Sequence, residues 1–222
     1  MNILIVSATQ FEIKELLNFL EIKSLKKKIT QAKKKIGKHN VSVLITGVGM
    51  VNTALVLGKY NHHSFDLVIN VGICGSFDKK LKLGDLVNIN EDTLSELGAE
   101  DGKEFLTFDQ LNLGSTHIFK NNHRSKKIVI TELRNVIGIT VNTIHGNATS
   151  ISKVIKLYHP NVESMEGAAF FAACENINKN YLQIRAISNY VEKRNKSKWQ
   201  MQLAIKNLNV FLIKFLSNDL KN

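Results

Sequence analysis

The spacing of apolar residues switches along the chain between a continuous type and a helical type, and this alternation predicts an α/β protein. Asn2–Ser7 is a short run rich in Ile, Leu and Val, as expected for a buried strand. Four apolar residues then recur at helical spacing, namely Ile13, Leu16, Leu17 and Leu20. A strand that leads into an amphipathic helix is the usual beginning of an α/β fold.

The rest of the chain repeats these two patterns. Apolar runs predict further strands at 28–36, 41–46, 67–71, 83–89, 136–143 and 181–187. The first two flank a turn at 37–40 and form a predicted hairpin. Helices are predicted after Gly49, after Ser150, and over 165–176 and 198–219.

One segment lacks either pattern. Residues 90–125 are polar, contain glycine and show little periodicity, so we predict a long excursion with little regular structure. The chain has no internal repeat, and its single proline, Pro160, marks no domain boundary. We therefore predict one domain over residues 1–222, folded as a three-layer α/β/α sandwich around a mixed central sheet.

The composition narrows the class of protein. The 222 residues are 44% apolar and 22% charged, which excludes wholesale disorder, a collagen-like fibre and a disulfide scaffold. Cys74 and Cys174 are far apart and form no Cys-x-x-Cys pair, so neither a metal site nor a disulfide is predicted. The first eleven residues do not resemble a signal peptide, and no apolar stretch is long enough to span a membrane. We predict a cytoplasmic protein with no membrane partner.

The net charge of +11 raises a nucleic-acid-binding alternative. Only four of the 30 basic residues are Arg, whereas a surface that reads phosphates and bases favours Arg with aromatic platforms. The longest basic stretch, residues 23–38, holds eight Lys and no aromatic residue. It is typical of solvated strand edges, and we predict no nucleic-acid partner.

Two glycine clusters follow predicted strands. Gly47 and Gly49 superficially match a dinucleotide fingerprint, but a third glycine and the later acidic residue are absent, so no nucleotide cofactor is predicted. Gly72 and Gly75 form the second cluster. Both clusters are compatible with close approach of the backbone to a ligand or simply with tight turns.

Candidate functional residues cluster late in the chain. Glu166 lies where a helix of small apolar residues begins, and a carboxylate there is costly to bury without partners. Glu163 and Glu166 could alternatively be acidic residues favoured at a helix N-terminus. Ser188 and Asn189 end a predicted buried strand, which is where open α/β sheets bind ligands, although an ordinary strand-ending turn would have the same pattern.

Six motifs in register give the chain a family resemblance. They are Ala8-x-x-x-Glu12, Thr46-Gly-Val-Gly49, Asn70-Val-Gly72-x-x-Gly75, Leu83-Gly-Asp85, Met165-Glu166-Gly-Ala and Arg185-Ala-Ile-Ser188. In this order they resemble the nucleoside phosphorylase and nucleosidase superfamily over nearly the whole chain. Within it, the chain resembles the futalosine hydrolases through Leu97-Gly-Ala-Glu-Asp-Gly102, Ser164-Met-Glu-Gly-Ala-Ala169, Ala186-Ile-Ser-Asn189-Tyr-Val, Arg194-Asn195 and Trp199.

The resemblance implies cleavage of an N-ribosidic bond. It implies hydrolysis of futalosine to hypoxanthine and dehypoxanthine futalosine in the futalosine route to menaquinone, without a cofactor or a metal. A methylthioadenosine/S-adenosylhomocysteine nucleosidase, or another purine nucleosidase or phosphorylase, is the alternative. The resemblance also implies a homodimer.

The resemblance assigns roles to individual residues. Glu12 is implied as the base that orients water, and Glu166 as the acceptor for the ribose hydroxyls, with Met165 packed on the sugar. Asn189 is implied to contact the purine where related methylthioadenosine nucleosidases have Asp. An amide suits a 6-oxopurine, although an Asn can also pair with N6 and N7 of adenine. Three neighbouring residues, Cys74, Gly75 and Ser188, are implied to bind substrate.

Two further expectations concern the nucleophile and the 5′ substituent. The loop from Ser7 to Glu12 has no Arg, and Ile73 stands where hydroxyl residues are common in the superfamily, so water is favoured over phosphate. Futalosine has a benzoate group on its 5′ side, which calls for a cation. Arg194 is the first candidate and Lys103 the second, although a solvated loop charge is the simpler interpretation of either.

Overall fold

A computed structural model describes residues 1–23, 25, 29–60, 64–114, 117–121, 132–175 and 180–219. The strands are β1 (Asn2–Ser7), β2 (Thr30–Gln31), β3 (Asn40–Ile45), β4 (Leu67–Ser76), β5 (Leu86–Leu94), β6 (Gly98–Asp101), β7 (Glu104–Thr107), β8 (Ile118–Lys120), β9 (Arg134–Thr140), β10 (Val162–Ser164) and β11 (Asn180–Tyr190). The helices are α1 (Lys14–Phe19), α2 (Met50–Lys59), α3 (Ala148–Tyr158), α4 (Gly167–Cys174) and α5 (Met201–Lys214). A short 3₁₀ turn, Lys196–Lys198, precedes α5, and a π-helical turn, Phe215–Asp219, follows it.

A mixed sheet forms the middle layer. Within the described ranges nine strands join it in the order β10-β9-β5-β11-β4-β1-β3-β2, with β8 paired to β5. The β1–β3, β1–β4, β4–β11, β5–β9 and β9–β10 pairs are parallel, and the others are antiparallel. Because β10 also pairs with β4, the path β4-β11-β5-β9-β10 closes on itself as a ring. Strands β6 and β7 form a separate hairpin.

Helices cover both faces of the sheet. Along β1, Ile3 and Ile5 pack into a core on one face, whereas Leu4 and Val6 pack into a core on the other. Helices α1 and α5 complete the first core and α2 and α4 the second. A strand buried on both faces is continuously apolar, which explains why β1 and the first half of β4 were recognisable in the sequence. The predicted three-layer mixed α/β class is confirmed.

The predicted excursion at 90–125 is wrong in its described part. Strand β5 continues to Leu94, and β6, β7 and β8 follow, while residues 115–116 and 122–125 lie outside the described ranges. The β6–β7 hairpin is exposed or half-buried throughout. A hairpin that buries neither face needs no apolar alternation, so the sequence pattern could not reveal it.

Other boundaries also differ from the predictions. Of the predicted strand at 28–36, Thr30–Gln31 forms β2 and Ile36 makes an isolated antiparallel bridge to His39, while residue 28 lies outside the described ranges. Strand β9 ends at Thr140, the last helix begins at Met201, and the short strand β10 was not predicted. None of the described helices combines the length and apolarity that crossing a membrane requires.

The strand predicted at 67–71 extends to Ser76, so Gly72 and Gly75 lie inside β4 and not in a turn. Their backbones pair with β11, Gly72 opposite Arg185 and Gly75 opposite Asn189. A Cβ atom at Gly72 would lie only 2.5 Å from Arg185 Nη1 and 2.8 Å from Glu12 Oε1. The glycine therefore leaves room for two charged side chains. Of the two alternatives for this cluster, the tight turn is wrong, and approach to a ligand stays a prediction.

Candidate functional site

A cavity of about 350 Å³ opens at the carboxyl ends of β1, β4, β10 and β11. This edge of an α/β sheet is where ligands usually bind. Seven of the predicted site residues line the cavity: Glu12, Cys74, Gly75, Met165, Glu166, Ser188 and Asn189. The sequence motifs, which are spread over some 180 positions, therefore meet at one place.

Glu12 lies on the loop between β1 and α1, and its side chain is held by hydrogen bonds. Its Oε2 accepts from the Thr9 hydroxyl at 2.8 Å and from the Thr9 backbone N–H at 3.1 Å. Its Oε1 accepts from the backbone N–H of Ile73 in β4 at 3.1 Å. The carboxylate is thus fixed from two elements while it still faces the cavity.

The backbone of the same loop is tied to the last helix. Asn209 is fully buried in α5, and its Nδ2 donates to the Glu12 carbonyl at 2.8 Å. Its Oδ1 accepts from the N–H of Leu16, one of the N–H groups in the first turn of α1 that no helix carbonyl reaches, also at 2.8 Å. Asn209 therefore connects α5 to the segment that presents Glu12.

Glu166 directly precedes α4, so it is an N-terminal residue of the helix as the simpler interpretation had it. It nevertheless has specific partners. Its Oε1 accepts from the N–H of Gly49 at 3.1 Å, and its Oε2 lies 3.7 Å from Arg185 Nη2. Gly49 has φ +97°, a conformation that favours glycine. The carboxylate lines the cavity beside Met165.

A buried polar network lies below Glu166. Arg185 Nη2 donates to the side-chain oxygens of Asn70 at 2.5 Å and of Gln183 at 3.3 Å. Gln183 Nε2 donates to Asp92 at 2.7 Å, and the Thr140 hydroxyl donates to the other Asp92 oxygen at 2.8 Å. Burial raises the pKa of Asp92 from 3.8 to about 6, while the hydrogen bonds from Gln183 and Thr140 oppose that rise.

Asn189 is oriented by its neighbours. The Ser188 hydroxyl donates to Asn189 Oδ1 at 2.8 Å, and Asn189 Nδ2 donates to the Tyr190 carbonyl at 3.1 Å. One N–H and one oxygen lone pair remain for a ligand. The register of β11 against β4 shifts between Ile187 and Asn189, and such an irregularity turns side chains towards a site.

Cys74 lines the cavity, but its thiol is not activated. Burial is the main cause that raises its pKa to about 12, so the thiolate needed for nucleophilic chemistry is disfavoured. Among the described residues, no group of three or more His, Cys, Asp or Glu side chains is arranged to hold a metal ion.

The two residues predicted for the 5′ substituent do not line the cavity. The guanidinium carbon of Arg194 lies 5.1 Å from the centre of the Trp199 ring, and Trp199 does line it. Lys103 follows β6, and its carbonyl accepts from Lys153 Nζ at 3.2 Å. Arg194 is therefore next to a wall of the cavity, whereas the structure gives Lys103 no contact with that wall.

Part of the cavity wall was not predicted from the sequence. Glu163 was interpreted only as a helix-terminal charge and His145 was not considered, yet His145 Nδ1 lies 2.6 Å from Glu163 Oε2 and Glu163 lines the cavity. The apolar wall includes Phe11, Val48 and Ile144. A lone Phe, Ile or His next to a turn gives no signal by itself, so these residues could not be predicted from the sequence.

These features define an α/β protein with a small-molecule site lined by carboxylates at the carboxyl edge of a mixed sheet. The chain belongs to the phosphorylase superfamily, whose family model matches residues 2–217.

Curated relatives include two futalosine hydrolases. The one from Thermus thermophilus is 26% identical over 168 residues, which cover 73% of this chain and 75% of the relative. The one from Streptomyces coelicolor is 30% identical over 144 residues, which cover 64% of this chain and 61% of the relative. The recognised resemblance is thereby confirmed.

Solved structures agree with the fold. A futalosine hydrolase mutant of Helicobacter pylori superposes with a TM-score of 0.81 at 16% identity, covering 97% of this chain and 98% of that one. A methylthioadenosine/S-adenosylhomocysteine nucleosidase of Neisseria meningitidis, solved in complex with methylthio-immucillin-A, gives a TM-score of 0.78 at 18% identity, with 97% and 98% coverage. At these identities the likeness concerns the fold alone.

Proposed function

We propose that this protein hydrolyses the N-ribosidic bond of futalosine, releasing hypoxanthine and dehypoxanthine futalosine in the futalosine route to menaquinone. The observation that supports this most strongly is the presence of Glu12, Glu166 and Asn189 on one cavity. The similarity to two futalosine hydrolases supports the substrate.

The reaction needs a base for water and a grip on the sugar. As the bond from C1′ to the purine breaks, the ribose becomes a cation of the oxocarbenium type. Glu12 accepts a proton from the attacking water, while Glu166 accepts hydrogen bonds from the ribose hydroxyls. Bonds from a carboxylate to the sugar strengthen as positive charge develops there, so they lower the barrier more than they strengthen ground-state binding.

Asn189 contacts the leaving purine. Its remaining N–H donates to a 6-oxo oxygen, and its remaining lone pair accepts from N7–H once the departing base has taken up a proton from solvent water. The bonds to Ser188 and Tyr190 hold the amide in one orientation, which supports this assignment. An amide cannot release a proton as the carboxylic acid of an Asp does.

Water is favoured over phosphate as the nucleophile because of the charge of the cavity wall. Three carboxylates, those of Glu12, Glu163 and Glu166, line the cavity, and no Arg or Lys is among the described residues that do so. A phosphate dianion would be repelled there, whereas neutral water is not. Replacing phosphate buffer by a neutral buffer should therefore leave the rate unchanged.

The proposed activity is tested by incubating the protein with futalosine, inosine and methylthioadenosine without phosphate and separating the free bases by chromatography. Hypoxanthine released chiefly from futalosine supports the proposal. Release of adenine from methylthioadenosine as the main product would assign the protein to the methylthioadenosine/S-adenosylhomocysteine nucleosidases, which the solved neighbours make the second candidate.

Arg194 is our candidate for the 5′ carboxylate of the substrate. Its position against Trp199, a wall residue, supports this role. Arg194→Ala should raise KM for futalosine and leave KM for inosine, which lacks the carboxylate, unchanged. An unchanged KM for futalosine would remove Arg194 from this role.

We also propose a cytoplasmic homodimer. Val51 and Leu55 on α2 are 74% and 69% exposed, and Val48, which lines the cavity, is 48% exposed next to them in sequence. An apolar patch beside a site suits a partner subunit. Leu55→Glu should shift the protein to the monomer in analytical ultracentrifugation, and a sedimentation coefficient equal to that of the wild type would contradict the interface.

The proposed cytoplasmic location is supported by the cysteines. Both are free and buried, as is usual for proteins of reducing compartments.

A further inference from the structure

Thr9 lies beside Glu12 on the wall of the cavity. A threonine followed three positions later by a glutamate can form a capping box, in which each side chain bonds to the backbone of the other residue. Both bonds are present, because Glu12 Oε2 accepts from the Thr9 N–H at 3.1 Å and Thr9 Oγ1 accepts from the Glu12 N–H at 3.4 Å. The Thr9 hydroxyl also donates to Glu12 Oε2, at 2.8 Å. Thr9 and Glu12 thus fix each other.

These bonds make the two carboxylate oxygens of Glu12 unequal. Oε2 accepts from both the N–H and the hydroxyl of Thr9, and the Ser7 hydroxyl lies a further 3.4 Å from it. A carboxylate oxygen has two lone pairs, so Oε2 is saturated. Among the described residues, the hydrogen bond that Oε1 accepts comes from the Ile73 N–H, at 3.1 Å. One lone pair of Oε1 therefore remains for a ligand.

The same inequality decides where Glu12 takes up a proton. A proton on Oε2 would displace one of the two donors of Thr9, and a donor that is held against an O–H group loses its bond at a cost in free energy. The backbone N–H of Thr9 cannot turn away, because the capping box fixes it. A proton on Oε1 occupies the free lone pair and leaves the bond from Ile73 intact.

We propose that Thr9 is a positioning residue, which directs the proton of the attacking water to Oε1 of Glu12. As the bond from C1′ to the purine breaks, the water oxygen bonds to C1′ and one water proton moves to Oε1. The electron pair of the broken bond leaves with the purine, which takes up a proton from solvent. Glu12 then releases its proton to solvent, so the carboxylate is restored for the next turnover.

Thr9 acts on the rate through the direction of the Glu12 carboxylate. The terminal torsion of a glutamate is soft, so hydrogen bonds determine where its oxygens point. Without the Thr9 hydroxyl, Oε2 would gain a free lone pair and the two oxygens would become more alike. The carboxylate would also turn more freely about its last bond. A displacement of about 1 Å in a reacting group can lower a rate by about 100-fold.

This inference rests on the proposed nucleosidase activity, and its test separates the hydroxyl of Thr9 from its methyl group. Thr9→Val removes the hydroxyl and keeps the shape, whereas Thr9→Ser keeps the hydroxyl and removes the methyl group. For the full-length protein and both variants, kcat and KM are measured with the nucleoside that the wild type cleaves fastest. Thr9→Val should lower kcat by about 10- to 100-fold with KM unchanged, and Thr9→Ser should retain the kcat of the wild type.

A second capping box in the chain provides the matched control. Gln110 Oε1 accepts from the Thr107 N–H at 2.8 Å and from the Thr107 hydroxyl at 3.1 Å. Neither residue is among those described on the cavity wall. Thr107→Val breaks the same kind of bond as Thr9→Val, so it should leave kcat and KM unchanged. Circular dichroism and urea unfolding of the two valine variants measure the structural cost that they share.

A double-mutant cycle tests whether Thr9 acts through Glu12. In the Glu12→Gln background no carboxylate remains to receive the proton. Adding Thr9→Val to this variant should therefore lower the residual kcat no further. Two losses that multiply would show that Thr9 acts independently of Glu12, and the inference would be wrong.

Three other results would overturn the inference. They are a wild-type kcat in Thr9→Val, an equal loss of kcat in Thr9→Val and Thr9→Ser, and an equal loss of kcat in Thr9→Val and Thr107→Val. Should Thr9→Val not fold, Thr9→Ala and Thr9→Ser, which differ only in the hydroxyl, give the same comparison. If the wild type cleaves no nucleoside at all, the proposed function fails, and this result is distinguishable because it precedes any variant.

Discussion

Glu12 and Glu166 are both glutamates at the edge of one cavity, but their surroundings differ. Glu12 is bound by two backbone N–H groups and by the hydroxyls of Ser7 and Thr9, and its Oε1 and Arg185 Nη1 both lie beside Gly72. Glu166 has one backbone N–H and the guanidinium of Arg185. Both carboxylates are therefore held in fixed positions on the cavity wall, as their proposed roles require.

We predict that Glu12→Gln and Glu166→Gln each lower kcat by at least about 100-fold, since an amide can neither accept the proton of water nor match the charge of the ribosyl cation. Glu15→Gln, at an exposed position of α1, should leave kcat unchanged. Steady-state kinetics and circular dichroism of the three variants provide the test. Wild-type kcat in either site variant would remove that residue from its role.

Much of the site could be predicted at the level of residues. Glu12, Glu166 and Asn189 lie in motifs, and motifs of one family converge because its fold is shared. The His145–Glu163 pair could not be predicted in the same way, because a hydrogen bond between residues 18 positions apart depends on the path of the loop between β9 and α3. Arg194, in contrast, lies in a motif but does not line the cavity, because the presence of a charged residue in a motif does not determine where its side chain points.

At the level of elements, β4 joins the two sides of the site. Its N-terminal half is a buried apolar strand, and its C-terminal half replaces side chains by hydrogen at Gly72 and Gly75. The apolar half was predictable. The glycine half resembles a turn in the sequence, because glycine occurs both in turns and in strands that need space for other groups, and the residue type alone does not distinguish the two. In β4 the reason is space for Glu12 and Arg185.

Gly72→Ala should therefore destabilise the protein and reduce activity, because the added methyl group would overlap both Arg185 Nη1 and Glu12 Oε1. Overpacking of this kind costs about 1 to 3 kcal/mol in the free energy of unfolding. Gly58→Ala is the matched control, since Gly58 lies in α2 with no atom near the position of the new methyl group. There we expect a gain of about 0.5 to 1 kcal/mol.

Urea unfolding of the two glycine variants measures both effects. A loss of stability in Gly58→Ala, or none in Gly72→Ala, would contradict the proposed use of space at these positions.

Helix α5 influences the site through a single side chain. Asn209→Ala removes the bonds to the Glu12 carbonyl and the Leu16 N–H, and it should lower both the free energy of unfolding and kcat. We expect a loss of about 1 to 3 kcal/mol for the buried groups left without partners. Asn207→Ala on the same helix breaks a bond to the Gly84 carbonyl only, so it should affect stability without lowering kcat. Equal kcat values for the two variants would show that Asn209 does not position Glu12.

At the scale of the whole molecule, the buried network around Asp92 makes stability depend on pH. The folded protein retains the Asp92 proton up to about pH 6, whereas the unfolded chain releases it near 3.8. Between these values the folded state binds more protons, so the contribution of Asp92 to stability falls as pH rises and is constant above about pH 6. The shift of roughly two pKa units corresponds to about 3 kcal/mol.

Asp92→Asn should remove this contribution. Between pH 4 and 6 the wild type should lose about 3 kcal/mol relative to the variant, measured by urea unfolding at several pH values. The other carboxylates titrate in both proteins, so their contributions cancel in the difference between the two free energies of unfolding. Parallel stability curves for the two proteins would contradict the raised pKa of Asp92.

The bond between Asn209 and Glu12 spans 197 positions of sequence, and this separation has a consequence for biosynthesis. A ribosome delivers Glu12 long before Asn209, so the loop that presents the Glu12 carboxylate stays untethered until α5 has been made. Contacts between distant positions also form slowly, because a long loop must close first. We therefore expect a nascent chain stalled before residue 200 to be inactive, and activity to appear only after α5 leaves the exit tunnel.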